Sequence, residues 1–119
     1  MLLAKLKVKE DKVAEYLEIA GKTDMAVESD KSGILYHTFD QDPYDPLRFV
    51  WSEVKKNDDA WLAHLANPAL GVYLEAHAEL GTDLSVEFYG TVGHKVIEAM
   101  NGTGVPYKIF KTKFGYSRV

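Results

Sequence analysis

The sequence predicts an α+β protein with the element order β-α-β-β-α-β, followed by an added helix and strand. Three observations predict it. Apolar residues alternate with a period of two in residues 2–8, 34–39, 47–55 and 84–92. They recur three and four apart in residues 11–29 and 58–80. Where the period changes, Asn57 and the pair Asn67-Pro68 stand as helix starts, because Asn accepts from free first-turn amides and Pro lacks only an amide that would be unpaired.

Each element follows from its own residues. Leu2, Ala4, Leu6 and Val8 mark a half-buried first strand. Val13, Tyr16, Leu17 and Ala20 then share one helical face, with Asp11 at the expected cap and the helix running to about Ser29. Lys31-Ser32-Gly33 is a loop. Residues 34–39 are rich in aromatic and β-branched side chains and form a second strand. Two prolines and three aspartates turn the chain at 40–46, so the third strand, 47–55, returns antiparallel. Asp58 and Asp59 favour the positive end of the helix that follows. A second helix runs from Pro68 to Leu80, and Gly81-Thr82 stops it. After the fourth strand, residues 94–100 form a short helix, 101–104 a turn and 107–116 an alternating strand.

No repeat or linker divides the 119 residues, so we expect a single domain: a core over about 1–92 and an extension over about 93–119. The order is that of the split-βαβ, or ferredoxin-like, arrangement, an antiparallel sheet with helices on one face. The bare face needs a cover, and a second copy of the same sheet is the usual one, which predicts a homodimer.

Composition excludes several functions. A net charge of −4 gives no basic surface for nucleic acid. The absence of cysteine removes disulfides, thiolate metal sites and a cysteine nucleophile. The start of the chain alternates like a strand and holds no signal-type apolar run, and no stretch is long enough to span a bilayer. We expect a soluble cytoplasmic protein with no membrane partner. The four histidines lack metal-ligand spacings, and no Gly-rich phosphate loop is present, so neither metal nor cofactor is expected.

The chemistry concentrates in one strand-helix unit. Leu47, Phe49, Trp51 and Glu53 share one strand face, so Glu53 continues a large apolar surface. A carboxylate there needs a cation or takes up a proton; it is either a pocket base or a paired strand-end acid. His64 follows Trp61 by three residues and titrates near neutrality; it is a proton acceptor or a satisfied core histidine. Trp51 and Trp61 are core or interface residues, or walls for a planar ring. His77 shares a stripe with Leu70, Tyr73, Leu74 and Leu80, at a packing edge or at the far end of the same cavity. In the second strand either Tyr36 or His37 faces the helices, and alternation does not choose.

The pattern Gly33-x-x-Tyr36, Asp45-Pro46-x-x-Phe49-x-x-x-Glu53 and Asn57-x-x-Ala60-x-x-x-His64-x-x-Asn67-Pro68 resembles the antibiotic biosynthesis monooxygenase family. The resemblance implies a dimeric α+β barrel, two ferredoxin-like sheets meeting face to face. It also implies cofactor-independent oxidation of a small quinol-like or polyphenolic ring. In that reading His64, alone or with Glu53, is the catalytic base, and Tyr36, Phe49, Trp51, Trp61 and His77 bind the substrate. The family's haem-degrading branch places Asn in the first strand and Trp near the position of His64; this chain has neither. An isomerase, cyclase or lyase using the same groups without O₂, and a non-catalytic ligand-binding module, stay open at this point.

Overall fold

The computed structural model describes residues 1–30 and 33–118, so Lys31 and Ser32 of the expected loop lie outside the described residues. The elements are β1 (Leu2–Val8), α1 (Val13–Ser29), β2 (Ile34–Gln41), β3 (Arg48–Lys55), α2 (Asp58–Ala66), α3 (Pro68–Leu80), β4 (Gly81–Tyr89), α4 (His94–Thr103) and β5 (Tyr107–Phe110). They form one open mixed sheet in the order β2-β3-β1-β4-β5.

The first four strands are antiparallel, as the pattern predicts. The fifth is not: β5 joins β4 in parallel, because α4 crosses over the sheet between them and returns the chain in the same direction. Gly104 ends α4 in the left-handed region, with φ of 73°. The expected last strand is also shorter than 107–116, stopping at Phe110. Asp11 does not cap α1. It takes φ of 68° in the tight turn after β1, and the cap position falls on Lys12, without a side-chain bond. Asp tolerates that backbone region because its short side chain can bond locally.

All four helices gather on one face of the sheet. Leu6 and Val8 of β1, Phe49 and Trp51 of β3, and Val86 and Phe88 of β4 bury against them. From the helices come Tyr16 and Ala20, Trp61, Tyr73 and Leu80, and Val96 and Met100. The opposite face carries half-buried Leu3, Val50 and Val54, and exposed Tyr36, Tyr89 and Phe110, the last two stacked at 5.0 Å. No helix is long and apolar enough to cross a membrane among the described residues.

Candidate active site between sheet and helices

Strand β3 presents Phe49, Trp51, Glu53 and Lys55 to the helices at alternate positions. Helix α2, fixed by Asn57 accepting from the Ala60 amide at 3.0 Å, turns Trp61 and His64 toward them. Helix α3, fixed by Asn67 accepting from the Ala69 amide at 3.0 Å, adds Tyr73 and His77. Several of them, with His37 from β2, border a cavity of about 80 Å³ between sheet and helices; its wall includes His37, Trp51, Glu53, Trp61, His64 and Tyr73.

Glu53 is the hub of a charged cluster. Its Oε1 lies 2.5 Å from Lys55 Nζ, 3.3 Å from His64 Nε2 and 4.0 Å from His37 Nε2. Lys55 is wholly buried and its ammonium sits 3.7 Å above the Trp61 ring, a desolvated cation on a π face. His37 turns its other nitrogen to Asp24 Oδ1 at 2.6 Å. Burial raises the Glu53 carboxyl, but the charge and hydrogen bond of Lys55 outweigh it and hold the group below the usual range. Burial lowers Lys55 against the pull of Glu53.

His64 is the neutral member. Burial, with the Lys55 charge beside it, outweighs Glu53 and takes its pKa down to about 4. Its Nε2 faces a carboxylate oxygen, which only accepts, and this assigns the single ring proton to Nε2. Nδ1 is then a lone pair, and it is buried with no hydrogen-bond partner among the described residues.

A second, uncharged chain crosses the same core. Trp51 Nε1 donates to Tyr73 Oη at 2.9 Å, the Tyr73 and Tyr16 hydroxyls bond directly, and Tyr16 Oη meets His77 Nδ1 at 2.8 Å. Burial pushes Tyr73 up to about 12 and Tyr16 further still, so both keep their protons. Burial lowers His77, opposed by Asp83.

The family model for antibiotic biosynthesis monooxygenases matches residues 1–76. The chain belongs to that family. No curated protein matches it by sequence. Among solved structures, MupZ from Pseudomonas fluorescens aligns over 98% of this chain and 92% of its own, at 15% identity and a TM-score of 0.76. A candidate antibiotic biosynthesis monooxygenase from Deinococcus radiodurans aligns over 72% and 87%, at 24% identity and a TM-score of 0.65. One from Nitrosomonas europaea aligns over 78% and 88%, at 19% identity and a TM-score of 0.65. At these identities the likeness is one of fold, and in MupZ it takes in the C-terminal helix and strand.

In this family member four of the expected site residues, Glu53, His64, Trp51 and Trp61, meet on the cavity wall. Three do not. His77 reaches the cavity only through Tyr16 and Tyr73. Phe49 is buried beside it, stacked on Phe39 at 4.8 Å. Tyr36 stands half exposed on the opposite sheet face: an irregularity between Ile34 and Tyr36 sets the register so that His37, not Tyr36, pairs with Glu53. Sequence reasoning left out Lys55, Tyr16 and Asp24. Lys55 carried a signal, since it continues the alternation of Trp51 and Glu53; the other two carried none beyond a helical face.

Proposed function

We propose that the protein is a monooxygenase that oxidises a small phenolic or quinol-like ring with O₂, without a cofactor. One observation carries the reading: the unpartnered, buried Nδ1 of His64 on the wall of an apolar cavity. A lone pair desolvated in this way is a proton acceptor waiting for a ligand. His64 takes the phenol proton at Nδ1, and the imidazolium that forms lies against Glu53, which Lys55 keeps ionised. The phenolate is electron-rich enough to pass an electron to O₂. The balance closes on the substrate alone. The ring gives up four electrons, one oxygen atom enters it as a carbonyl, and the other leaves as water with the two hydrogens removed.

Trp51 and Trp61 flank the ring, and Phe49 and Phe39 back the Trp51 side. The cavity of about 80 Å³ is smaller than the roughly 150 Å³ that holds benzene in an engineered core, so the substrate is a single ring and its entry displaces side chains. Exclusion of water protects the peroxide-level intermediate. The family and the descriptions of its Deinococcus and Nitrosomonas members support oxygenase chemistry. The uncovered sheet face fits a homodimer that closes the two sheets into a barrel, and a cysteine-free chain suits the cytoplasm.

Oxygen uptake with a panel of phenols and hydroquinones tests the reading. We expect uptake matched to product, and a loss on the order of 10²-fold in His64→Ala. Product formed without O₂ uptake, or an unchanged rate in His64→Ala, refutes it.

A further inference from the structure

We propose that the cavity has a second proton acceptor, His77, reached through the hydroxyls of Tyr73 and Tyr16, and that its ligand is an aromatic ring bearing two hydroxyls. The inference rests on the oxygenase reading above and specifies its substrate class.

Direction in the chain is fixed at one end. An indole N–H only donates, so Tyr73 Oη accepts from Trp51; either hydroxyl can donate in the Tyr16–Tyr73 bond, and in the relay the hydrogen of Tyr73 goes to Tyr16. The hydrogen of Tyr16 then goes to Nδ1 of His77, which receives it as a lone pair. Tyr73 is part of the cavity wall and retains a second lone pair for a ligand hydroxyl; Tyr16 and His77 lie behind it. When a ligand O–H proton moves onto Tyr73, the proton of Tyr73 moves to Tyr16 and that of Tyr16 to His77. Three O–H bonds break, two O–H bonds and one N–H bond form, and the ends are a phenolate in the cavity and an imidazolium at His77. Both tyrosines are neutral before and after, as their burial demands.

The surroundings of His77 suit this role. Asp83 at the start of β4 is the charge that favours its protonated form. Tyr16 from α1 and Tyr73 from the preceding turn of α3 face it and are uncharged. Gly81 leaves room for the ring: a Cβ there would sit 2.5 Å from Nδ1 and Cε1. The imidazole is thus placed to bond Tyr16 while remaining outside the cavity.

Two independent acceptors match two hydroxyls. His64 serves one through Nδ1, and His77 serves the other through the tyrosines. The oxygenation stays balanced: the ring supplies four electrons to O₂, one oxygen enters the ring, and the other leaves as water with the two protons returned by the two histidines. No outside reductant is needed.

Nitrohydroquinone bound under argon tests the relay, because its visible spectrum reports how many hydroxyls are ionised. We expect the wild type to bind it as the dianion. Tyr16→Phe and His77→Gln should bind it as the monoanion, and the double variant should look like either single one, since both cut one path. In air, Tyr16→Phe should lower kcat for hydroquinones on the order of 10²-fold. A dianion that persists in either folded variant, Tyr16→Phe or His77→Gln, overturns the relay while leaving His64 as base. A wild type that does not bind the probe overturns the relay and the oxygenase reading together. Thermal melts of both variants separate loss of the path from loss of fold: His77→Gln does not line the cavity, and a folded His77→Gln with wild-type ionisation refutes the proposal by itself.

Discussion

Lys55→Met isolates the charge at the centre of the site. Methionine keeps most of the lysine stem, so the substitution removes the ammonium and little volume. What remains is a buried Glu53 whose permanent cation, 2.5 Å away, is gone. Breaking a buried ion pair from one side costs about 3–5 kcal/mol, because the surviving charge is left uncompensated. The lost contact with the Trp61 ring is contained in that figure, not added to it. Against a total stability of roughly 5–15 kcal/mol this is a large fraction, and it corresponds to a fall in Tm of roughly 12–25 °C for a domain of this size. Urea titration with unchanged slope gives the free energy directly. Adding Glu53→Gln removes the stranded charge and keeps an acceptor for His64, so the double variant should recover at least about half of the loss. A loss below about 1 kcal/mol in Lys55→Met, or a double variant no better than the single, refutes the account of Glu53 as a carboxylate held ionised by Lys55.

Two further outcomes follow from the same structure. The folded-state pKa of His64 is lowered from 6.5 to about 4, so the unfolded chain binds its proton first. Its contribution is complete above about pH 6.5 and is lost as the pH falls toward about 4, by roughly 3 kcal/mol in all. Glu53, held below its ordinary range, extends the loss to lower pH as it becomes protonated. His64→Gln should flatten the stability curve between those limits, and a wild-type curve no steeper than that of the variant contradicts the buried neutral imidazole. Sedimentation equilibrium should return a dimer, and Val50→Glu with Val54→Glu on the open sheet face should return a monomer; a wild-type monomer removes the barrel.

The residues that were legible and those that were not divide on a physical line. Glu53 and His64 come from a strand and the helix directly after it, joined by the capping residue Asn57. Local period and cap therefore place both on inward faces before any tertiary contact is known. Lys55 was legible by the same alternation. A strand-end lysine is ordinarily solvated, and only the depth of the sheet under α2 buries it. The facing of His37 was not legible, because an irregular register beside Ile34 resets the parity of β2 and no residue announces it. The parallel β5 depended on a crossover, not on its own alternation.

The tyrosine chain lies at the far end of this scale. Tyr16 and Tyr73 are 57 positions apart and Tyr16 and His77 are 61, on α1 and α3, with β2, β3 and α2 between them in the chain. Each helical stripe is legible, but a stripe does not say which hydroxyl meets which ring. The cavity therefore has one side written locally and one side written by long-range packing, with Trp51 between them. Its indole borders the charged cluster through His37 at 4.8 Å and donates its one hydrogen to the neutral chain at Tyr73. Trp51 was expected as a wall for a planar ring. Its donation also anchors one end of the neutral chain, because an indole N–H can only donate and so makes Tyr73 Oη an acceptor there.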